Sequence, residues 1–347
     1  MKTVEPCQRV AVFRTGYLGD TVCAVPAFRL IRQNFQNAGI TFITERPVEE
    51  KAFSGDVIDG LQIFDAVETY SPGSAFSAAW SLGKVVRRCR PDLLIVLPQR
   101  VESERKLRLK RTLLRWMGQC QVWAKPFVVT ANGEHASEPH RIVAMLESFG
   151  LQGEKPAYDF PVRQEAKESI AQKLQTVGIQ SHKPFIAFCG GGKSPVQRWS
   201  LESYARVFEE VSRVFDVPVV AVGNPTEQTH YESLGAVPNL HVLRNSLSLP
   251  EMIELLRSSA CYIGNDTGPM HVAAAVNTPV AVIMSARDQK GCWYPDVEPR
   301  LVIRRDVPCQ GCLLRECIEM KHVCMTGISP ETVLERLIPF LKPILVS

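Results

Sequence analysis

The chain lacks most features that would mark a membrane, secreted or nucleic-acid-binding protein. None of its apolar runs is long enough to cross a bilayer, and residues 1–9 contain no apolar core of the kind a secretory signal needs. Eleven cysteines, an odd number, favour free thiols in a reducing compartment over a disulfide framework. The net charge of +4 is small, and no nucleic-acid-binding module accompanies it. We therefore expect a cytoplasmic protein that does not bind nucleic acid.

The first turn also lacks the glycine pattern of a nicotinamide-binding protein. The run Arg9–Arg14 predicts a strand, a turn ending in Gly19 and Asp20 follows, and a helix is predicted up to Phe35. This is a Rossmann-type opening, but the turn reads Gly-x-x-Gly-Asp where a dinucleotide site has Gly-x-Gly-x-x-Gly. A dehydrogenase is therefore disfavoured, and we expect no cofactor.

Predicted strands and helices alternate through the rest of the chain, and the alternation starts twice. A length of 347 residues suits two domains of ordinary size. We predict an α/β fold with two Rossmann-like, doubly wound domains facing a cleft. The predicted boundaries are 1–160 for the N-terminal domain, 161–183 for a linker region, 184–328 for the C-terminal domain and 329–347 for a terminal helix.

The most informative stretch is 261–279, which reads CYIGNDTGPMHVAAAVNTP. It predicts a buried strand, a tight turn and a small apolar helix, with Asn265, Asp266 or Thr267 as the helix cap and Pro269 in the first turn. Backbone N–H groups at such a helix N-terminus attract phosphate. Because Asp266 is itself anionic, we expect its carboxylate to accept hydrogen bonds from donor hydroxyls or to cap the helix.

These residues resemble a known family. Residues 266–279 are similar to the Asp-(Ser/Thr)-Gly-x-x-His-x-Ala-Ala-x-x-x-x-Pro segment of glycosyltransferase family 9, which contains the bacterial heptosyltransferases of lipopolysaccharide core assembly. The first turn resembles the family's opening motif at Arg14, Gly16, Gly19, Asp20 and Pro26. The resemblance spans nearly the whole chain and implies the GT-B architecture.

The activity implied by the resemblance is an inverting, metal-independent transfer of a sugar. The expected donor is a nucleotide-sugar such as ADP-heptose, and the expected acceptor is a lipopolysaccharide core or related glycan. Two alternatives stay open: another nucleotide-hexose as donor, or a sugar-nucleotide-binding protein of the same fold without activity. The resemblance also implies a terminal helix that packs back toward the N-terminal domain.

Asp20 is the residue expected to perform the chemistry. The Asp of this family motif is the proposed general base, which takes the proton of the attacking acceptor hydroxyl. Gly19 beside it is placed on the acceptor side. The alternative is that Asp20 only caps the helix that follows.

The donor site is expected on the C-terminal domain. The candidate donor-binding residues are Gly190, Gly191, Gly192, Lys193, Arg198, Asn224, Glu227, Asp266, Thr267, Gly268, Pro269, Met270 and His271. Asn224 and Glu227 are candidates for ribose or base contacts, with ordinary turn chemistry as the alternative. His271 is a candidate phosphate contact, with a structural histidine as the alternative.

One position departs from the family pattern. The family has a Lys-Arg-Trp-like triplet whose lysine contacts the donor phosphate, and this chain has Gln197, Arg198 and Trp199. Glutamine carries no charge, so Lys193 or Arg198 is expected to supply it. The loss of the lysine favours the inactive alternative, whereas the intact Asp20 and 266–279 motifs favour the enzyme.

Residues 84–125 are the basic part of the chain. A predicted amphipathic helix carries Arg105, Arg108 and Arg111 together with the apolar residues Leu107, Leu109, Leu113, Leu114 and Trp116. One interpretation is a solvated helix face. The other is a binding patch in which Arg105, Arg108 and Arg111 contact an anionic, lipid-linked acceptor at the inner-membrane surface.

Four cysteines, Cys309, Cys312, Cys317 and Cys324, lie in one short segment with His322 nearby. The first pair has metal-ligand spacing, but two well-separated pairs, as in a zinc site, are absent. We expect a structural cluster of free thiols and no catalytic metal, with a structural metal held by these residues, and His322 as another ligand, as the alternative.

Overall fold

The computed structural model describes residues 7–46, 57–58, 60–98, 104–125, 130–131, 134–153, 157–180, 183–192, 194–223, 225–231, 234–243 and 247–346. The chain divides into two compact units, Met1–Pro161 and Val162–Ser347. Each unit is built on a parallel sheet flanked by helices. Two candidate donor-binding residues, Lys193 and Asn224, lie outside the described residues.

The first unit opens with the strand–turn–helix that the sequence predicts. Its elements are β1 (Arg9–Phe13), α1 (Leu18–Val22), α2 (Val25–Asn34), β2 (Gly39–Glu45), β3 (Ala66–Tyr70), α3 (Ala75–Cys89), β4 (Leu93–Val96), α4 (Glu104–Gly118), β5 (Gln121–Trp123), β6 (Thr130–Ala131), β7 (Glu134–His135) and α5 (Glu138–Glu147). The parallel sheet has the strand order β3-β2-β1-β4-β5, and β6 and β7 form an antiparallel ribbon. The single helix predicted up to Phe35 is divided into α1 and α2, with Pro26 in the first turn of α2.

Helices α3 and α4 cover one face of this sheet. The apolar side chains that they bury, Leu82, Val86, Leu114 and Met117, belong to the same cluster as Ala11, Phe13, Leu94 and Val96 of β1 and β4. Strand β4 is buried along its whole length, as expected for a central parallel strand covered on both faces. Helices α2 and α5 pack against each other.

The second unit repeats the pattern with one more strand. Its elements are α6 (Gln164–Thr176), β8 (Ile186–Cys189), a 3₁₀ turn (Pro195–Gln197), α7 (Leu201–Phe215), β9 (Val219–Ala221), α8 (Pro225–Tyr231), β10 (Leu240–Val242), α9 (Leu249–Ser258), β11 (Cys261–Asn265), α10 (Gly268–Ala275), β12 (Val280–Met284), β13 (Arg300–Arg304), α11 (Val323–Thr326) and α12 (Pro330–Leu345). The strand order is β10-β9-β8-β11-β12-β13.

The segment expected to be a linker, 161–183, contains a helix of the second unit. Helix α6 packs against α9, and Lys173 Nζ and Ser169 Oγ each lie 2.6 Å from Glu251 Oε1. Desolvation of Glu251 opposes its ionisation, but hydrogen bonds from Lys173, Ser169 and Ser248 outweigh it and lower the pKa of Glu251 to about 2. The ion pair and the packed face together make α6 part of a folded unit.

One face of the C-terminal helix α12 packs on its own unit. Val333, Leu337 and Leu341, spaced four residues apart on one face, are buried in the core of the second unit. Helix α12 packs on α7 and β13 of that unit. This apolar stripe is therefore buried within the second unit, and the packing of α12 back toward the N-terminal domain stays a prediction.

None of the helices in the described ranges combines the length and apolarity needed to cross a membrane.

In both sheets the strand order reverses beside the first strand of the unit, between β1 and β4 and between β8 and β11. In open α/β sheets, ligands bind at the carboxyl ends of the strands at such a point. A ligand site of each unit is therefore expected at these two positions.

Candidate active site

Asp20 lies in α1, immediately beyond the carboxyl end of β1. Its Oδ2 accepts a hydrogen bond from the Tyr17 N–H at 2.9 Å, and its backbone carbonyl accepts one from Arg14 Nε at 3.0 Å. The side chain is half-buried. The capping contact considered as the alternative is therefore present. A carboxylate offers about four lone-pair sites, so one capping bond leaves capacity to accept a substrate hydroxyl.

A buried charge cluster that sequence reasoning missed lies beneath this turn. Glu138 Oε1 is 3.1 Å from Arg14 Nη2, and both Glu138 oxygens accept from Arg141 at 2.8 Å. Arg141 also donates to the carbonyl of Pro98, just after β4. Two guanidinium groups face one carboxylate, so the cluster is net positive, and it joins the turn after β1 to the end of β4 and to α5. In the sequence, the available signal was a Glu and an Arg three residues apart at the start of α5.

In the second unit, Asn265 at the end of β11 organises the glycine-rich turn. Its side chain is fully buried, and Nδ2 donates to the carbonyls of Gly190 at 2.6 Å and Gly191 at 3.1 Å. Oδ1 accepts from the Trp199 N–H at 3.2 Å and from the Tyr204 hydroxyl at 2.8 Å. All four hydrogen-bonding positions of the amide are therefore used. The sequence had suggested only a helix cap for this residue.

Glu227 lies against the same turn. The Gly192 N–H donates to Glu227 Oε1 at 3.2 Å, and a Cβ added at Gly191 would collide with the Glu227 carboxylate. A side chain at position 191 would therefore force the Glu227 carboxylate to move. The structure brings Glu227, Gly191 and Gly192 together, and it places an acceptor group beside the backbone of the turn.

The N-terminus of α10 is not capped by the side chain of its N-cap residue. Thr267 accepts no hydrogen bond from the helix, and its hydroxyl instead lies 3.2 Å from the Tyr262 hydroxyl. Gly268 and Pro269 form the first turn and are partly exposed, whereas Met270 is fully buried in the core. Backbone N–H groups of this first turn are therefore the groups that an anion would meet.

His271 and Asp266 face each other beside this turn. His271 Nε2 is 3.8 Å from Asp266 Oδ1, and the edge of its ring meets Trp293 with the centroids 5.9 Å apart. Burial lowers the pKa of His271 to about 4. The imidazole is therefore neutral at pH 7, so it can offer a hydrogen bond to a phosphate but no charge.

Gln197, at the position of the family lysine, contacts a buried arginine. Its Nε2 lies 3.4 Å from the carbonyl of Asp266, and its Oε1 accepts from Arg287 Nη1 at 3.3 Å. Arg287 is buried, and its Nη2 donates to the Leu313 carbonyl at 3.3 Å. Arg198 is exposed and donates from Nε to the Gly192 carbonyl at 2.8 Å. The structure thus adds Arg287, whose Nε lies 3.5 Å from Asp288 Oδ2, to the cations near the glycine-rich turn.

The candidate acceptor residues lie in the first unit. Gly19 is buried within α1, Arg105 and Arg108 are exposed on α4, and Arg111 is half-buried. The apolar residues of α4 do not form one buried face: Leu107 and Leu114 are buried, whereas Leu109, Leu113 and Trp116 are exposed.

The cysteine segment contains free thiols. Burial raises the pKa of Cys324, and the nearby Cys309 and Cys317 raise it further. The Cys317 N–H donates to His322 Nε2 at 3.3 Å. Within the described ranges, no three metal-ligating side chains stand in a metal-binding arrangement. The metal content therefore stays a prediction.

The two units together define the GT-B class of fold. The chain superposes on a family 9 glycosyltransferase from Veillonella parvula with a TM-score of 0.71 at 16% identity, covering 100% of this chain and 99% of that one. It superposes on the Escherichia coli ADP-heptose lipopolysaccharide heptosyltransferase II with a TM-score of 0.66 at 18% identity, covering 96% and 99%. The fold predicted from the sequence is confirmed.

The family follows from the sequence comparisons. The profile described as "Glycosyltransferase family 9 (heptosyltransferase)" matches residues 79–322, more than two thirds of the chain. The lipooligosaccharide heptosyltransferase 2 of Haemophilus ducreyi is 23% identical over 359 aligned residues, covering 95% of this chain and 98% of that protein. The chain belongs to glycosyltransferase family 9 and is a glycosyltransferase, as the motifs at Asp20 and 266–279 predicted.

Proposed function

We propose that this glycosyltransferase moves heptose from ADP-heptose to a lipopolysaccharide-core acceptor with inversion at the anomeric carbon. The proposal is supported by family membership and by relatives named as heptosyltransferases, one of them with ADP-heptose in its name. The observation that carries it is the glycine-rich turn held by Asn265 beside the N-terminus of α10, at the edge where β8 and β11 end.

The donor's diphosphate binds at the first turn of α10, beside the turn at Gly190–Gly192, whose Gly192 N–H already donates to Glu227. Backbone N–H groups and the helix dipole favour the negative charge there. Arg287, acting with Gln197, and Arg198 supply the positive charge that the family lysine provides elsewhere. Glu227 accepts a hydrogen bond from a ribose hydroxyl, and Asp266 accepts one from a sugar hydroxyl. Lys193 and Asn224 remain candidate donor contacts.

Asp20 is the general base of the transfer. It takes the proton of the acceptor hydroxyl as that oxygen attacks the anomeric carbon. The bond between the anomeric carbon and the diphosphate oxygen breaks in the same displacement, so the configuration inverts and ADP leaves with the bonding electron pair. The N–H groups of α10 and the cations beside them stabilise the charge that develops on the leaving diphosphate.

The acceptor is an anionic, lipid-linked saccharide, contacted by Arg105, Arg108 and Arg111. The two arginines that are exposed on α4 are free to reach a phosphorylated sugar. Because such an acceptor is anchored in the inner membrane, the protein works at the cytoplasmic surface of that membrane.

Because Gln197 replaces the family lysine, two alternatives stay open: a different nucleotide-hexose donor, and a binding protein without transfer activity. A thermal-shift series with ADP-heptose, ADP, UDP-sugars and GDP-sugars separates the donors, since a ligand at 100 times its dissociation constant stabilises the folded state by about 2.7 kcal/mol. Mass spectrometry of an acceptor incubated with the preferred donor then tests transfer. A gain of one heptose is the expected result. Binding without any gain identifies the inactive alternative, and preference for a UDP- or GDP-sugar identifies the other donor.

A further inference from the structure

Helices α3 and α4 of the first unit expose an unusual number of large apolar side chains. The exposed fractions are 82% for Phe76, 58% for Trp80, 72% for Leu109, 41% for Leu113 and 71% for Trp116. Phe76 and Trp80 are four residues apart on α3, and Leu109, Leu113 and Trp116 follow at four- and three-residue steps on α4. Each set therefore lies on one side of its helix, and on α3 that side differs from the one that carries Leu82 and Val86, which are buried against the sheet.

The two sets belong to one continuous surface because the helices touch. A Cβ at Gly83 of α3 would collide with the sulfur of Met117 on α4, and Arg87 Nε donates to the Met117 carbonyl at 3.0 Å. The Arg87 guanidinium lies over the Trp116 ring, 5.8 Å from its centroid, and Lys84 Nζ lies 5.4 Å from the Trp80 centroid. The contact between the two helices is therefore crossed by a row of four neighbouring side chains, Trp80, Lys84, Arg87 and Trp116. We call this surface, with Phe76, Leu109 and Leu113, the α3–α4 face.

The charge of the two helices is almost entirely positive. They contain nine basic residues (Lys84, Arg87, Arg88, Arg105, Lys106, Arg108, Lys110, Arg111 and Arg115) and one acidic residue, Glu104. The whole chain has a net charge of only +4, so the rest of it is net negative. A partner of this face is therefore anionic. A second copy of the same face is disfavoured because it would set cation against cation.

We propose that the α3–α4 face docks the protein on an anionic phospholipid bilayer. Aromatic rings with an apolar body suit the headgroup level of a bilayer, and lysines and arginines around them add attraction to anionic lipids. Protein–protein interfaces are depleted in lysine at their cores, whereas here Lys84 stands on the Trp80 ring in the middle of the apolar side chains. This inference rests on the proposed function, and it adds the surface that brings the enzyme to a lipid-linked acceptor.

Co-sedimentation of the full chain with vesicles tests the docking. Vesicles of phosphatidylcholine mixed with phosphatidylglycerol should bind the wild-type chain at least about tenfold more strongly than phosphatidylcholine alone, and the binding should weaken as salt rises. The triple variant Phe76→Ser, Trp80→Ser and Trp116→Ser should lose about tenfold or more of that binding. Its matched control is Leu314→Ser with Ile318→Ser, two residues of the second unit with exposed fractions of 50% and 83%, which should bind as the wild type does.

A second measurement does not depend on the serine variant folding. Lipids brominated on their acyl chains should quench the tryptophan fluorescence of the wild-type chain. The conservative double variant Trp80→Phe and Trp116→Phe should still bind these vesicles but lose the quenching. Retained quenching, equal binding to neutral and anionic vesicles, or vesicle binding by the serine variant at the wild-type level would each overturn the proposal. The proposal would also be overturned if the wild-type chain bound no vesicles but formed a dimer, and the serine variant did not form that dimer.

Transfer to a soluble, delipidated acceptor separates this inference from the proposed function. The serine variant should transfer to that acceptor as the wild type does, because none of its altered residues binds donor or acceptor. Vesicle binding by a chain that transfers no sugar would support the docking and contradict the function. Transfer by a chain that ignores anionic vesicles would contradict only the docking.

Discussion

The side-chain amide of Asn265 donates to the carbonyl oxygen of Gly190 at 2.6 Å, fastening the end of β11 to the turn that follows β8. The same amide group reaches Gly191, and its oxygen holds Trp199 and Tyr204. One buried side chain thus fixes the backbone of the glycine-rich turn relative to the first turn of α10. Because backbone N–H groups bind a diphosphate only when they are held in position, Asn265 is a positioning residue of the proposed donor site.

Replacing Asn265 by Asp tests this relationship with almost no change of shape. The N–H donors become a carboxylate oxygen that faces two carbonyl oxygens in a buried site. We expect a loss of about 2–4 kcal/mol in the free energy of unfolding, measured with urea, and weaker ADP binding by calorimetry. The control is Asn277→Asp, an exposed residue in a left-handed conformation that Asp tolerates. Unchanged stability in Asn265→Asp would contradict the positioning role.

Arg287 is predicted to carry the charge that Gln197 lacks. Arg287→Gln should lower the affinity for ADP about tenfold, the size expected for one charge-assisted hydrogen bond. Adding Gln197→Lys to that variant should recover part of the affinity, because the contact between the two side chains places a new ammonium group close to the lost guanidinium. Arg305→Gln, on an exposed arginine of the same unit, is the control. If the Arg287→Gln variant binds ADP normally, Arg287 does not supply the charge and its role is only to hold the loop at Leu313 through its hydrogen bond to that carbonyl.

Most of the fold could be read from the sequence because buried parallel strands are short apolar runs and the turns contain glycine. The strand predicted at Arg9–Arg14 is found at Arg9–Phe13, and the terminal helix predicted within 329–347 is found at Pro330–Leu345. The partner of α12 could not be predicted, since an apolar stripe such as Val333, Leu337 and Leu341 does not say which sheet it meets.

The site was predicted less completely than the fold. Asp20, Glu227 and Asp266 belong to recognisable turns, whereas the contact of Asn265 with Tyr204 and that of Arg287 with Gln197 join residues 61 and 90 positions apart. Such contacts leave no local signal. The exposure of Trp116 could not be predicted from the sequence either, because α4 has apolar residues on more than one side of the helix.

His271 should make stability depend on pH. Its pKa is about 4 in the folded protein and about 6.5 in an unfolded chain, so the unfolded state binds more protons between these values. The free energy of unfolding should therefore fall by about 1–3 kcal/mol as the pH drops from about 6.5 to about 4, with the nearby Asp266 reducing the effect. Urea unfolding at several pH values measures it. His271→Gln should flatten this dependence and the exposed His230→Gln should preserve it. An unchanged slope in His271→Gln would contradict the assignment.

The four-cysteine segment is predicted to hold free thiols. Elemental analysis of purified protein should find far less than one metal ion per chain, and a chelator should leave the melting curve unchanged. A structural metal contributes directly to folding free energy, so it would appear as about one zinc per chain and a lower melting temperature after chelation. That result would replace the interpretation of Cys309, Cys312, Cys317 and Cys324 as a thiol cluster.

Asp20 and Asp266 are predicted to fail in different ways when they are replaced. An asparagine at position 20 keeps the hydrogen bond from the Tyr17 N–H, because its amide oxygen accepts as the carboxylate does, but it cannot take a proton. Turnover of Asp20→Asn should fall on the order of 10²–10⁴-fold while the dissociation constant of the donor barely changes. Asp266→Ala should instead weaken donor binding by about 1 kcal/mol or more.

Asp92→Asn is the matched control for Asp20→Asn, since Asp92 also accepts hydrogen bonds from backbone N–H groups, those of Gln8 and Arg9, in the same unit. It should lower stability without lowering turnover. If Asp20 were only a helix cap, Asp20→Asn would behave like this control, because asparagine caps a helix about as well as aspartate. Near-normal turnover in Asp20→Asn would therefore remove the general base, and a base elsewhere in the chain would have to take the proton of the acceptor hydroxyl.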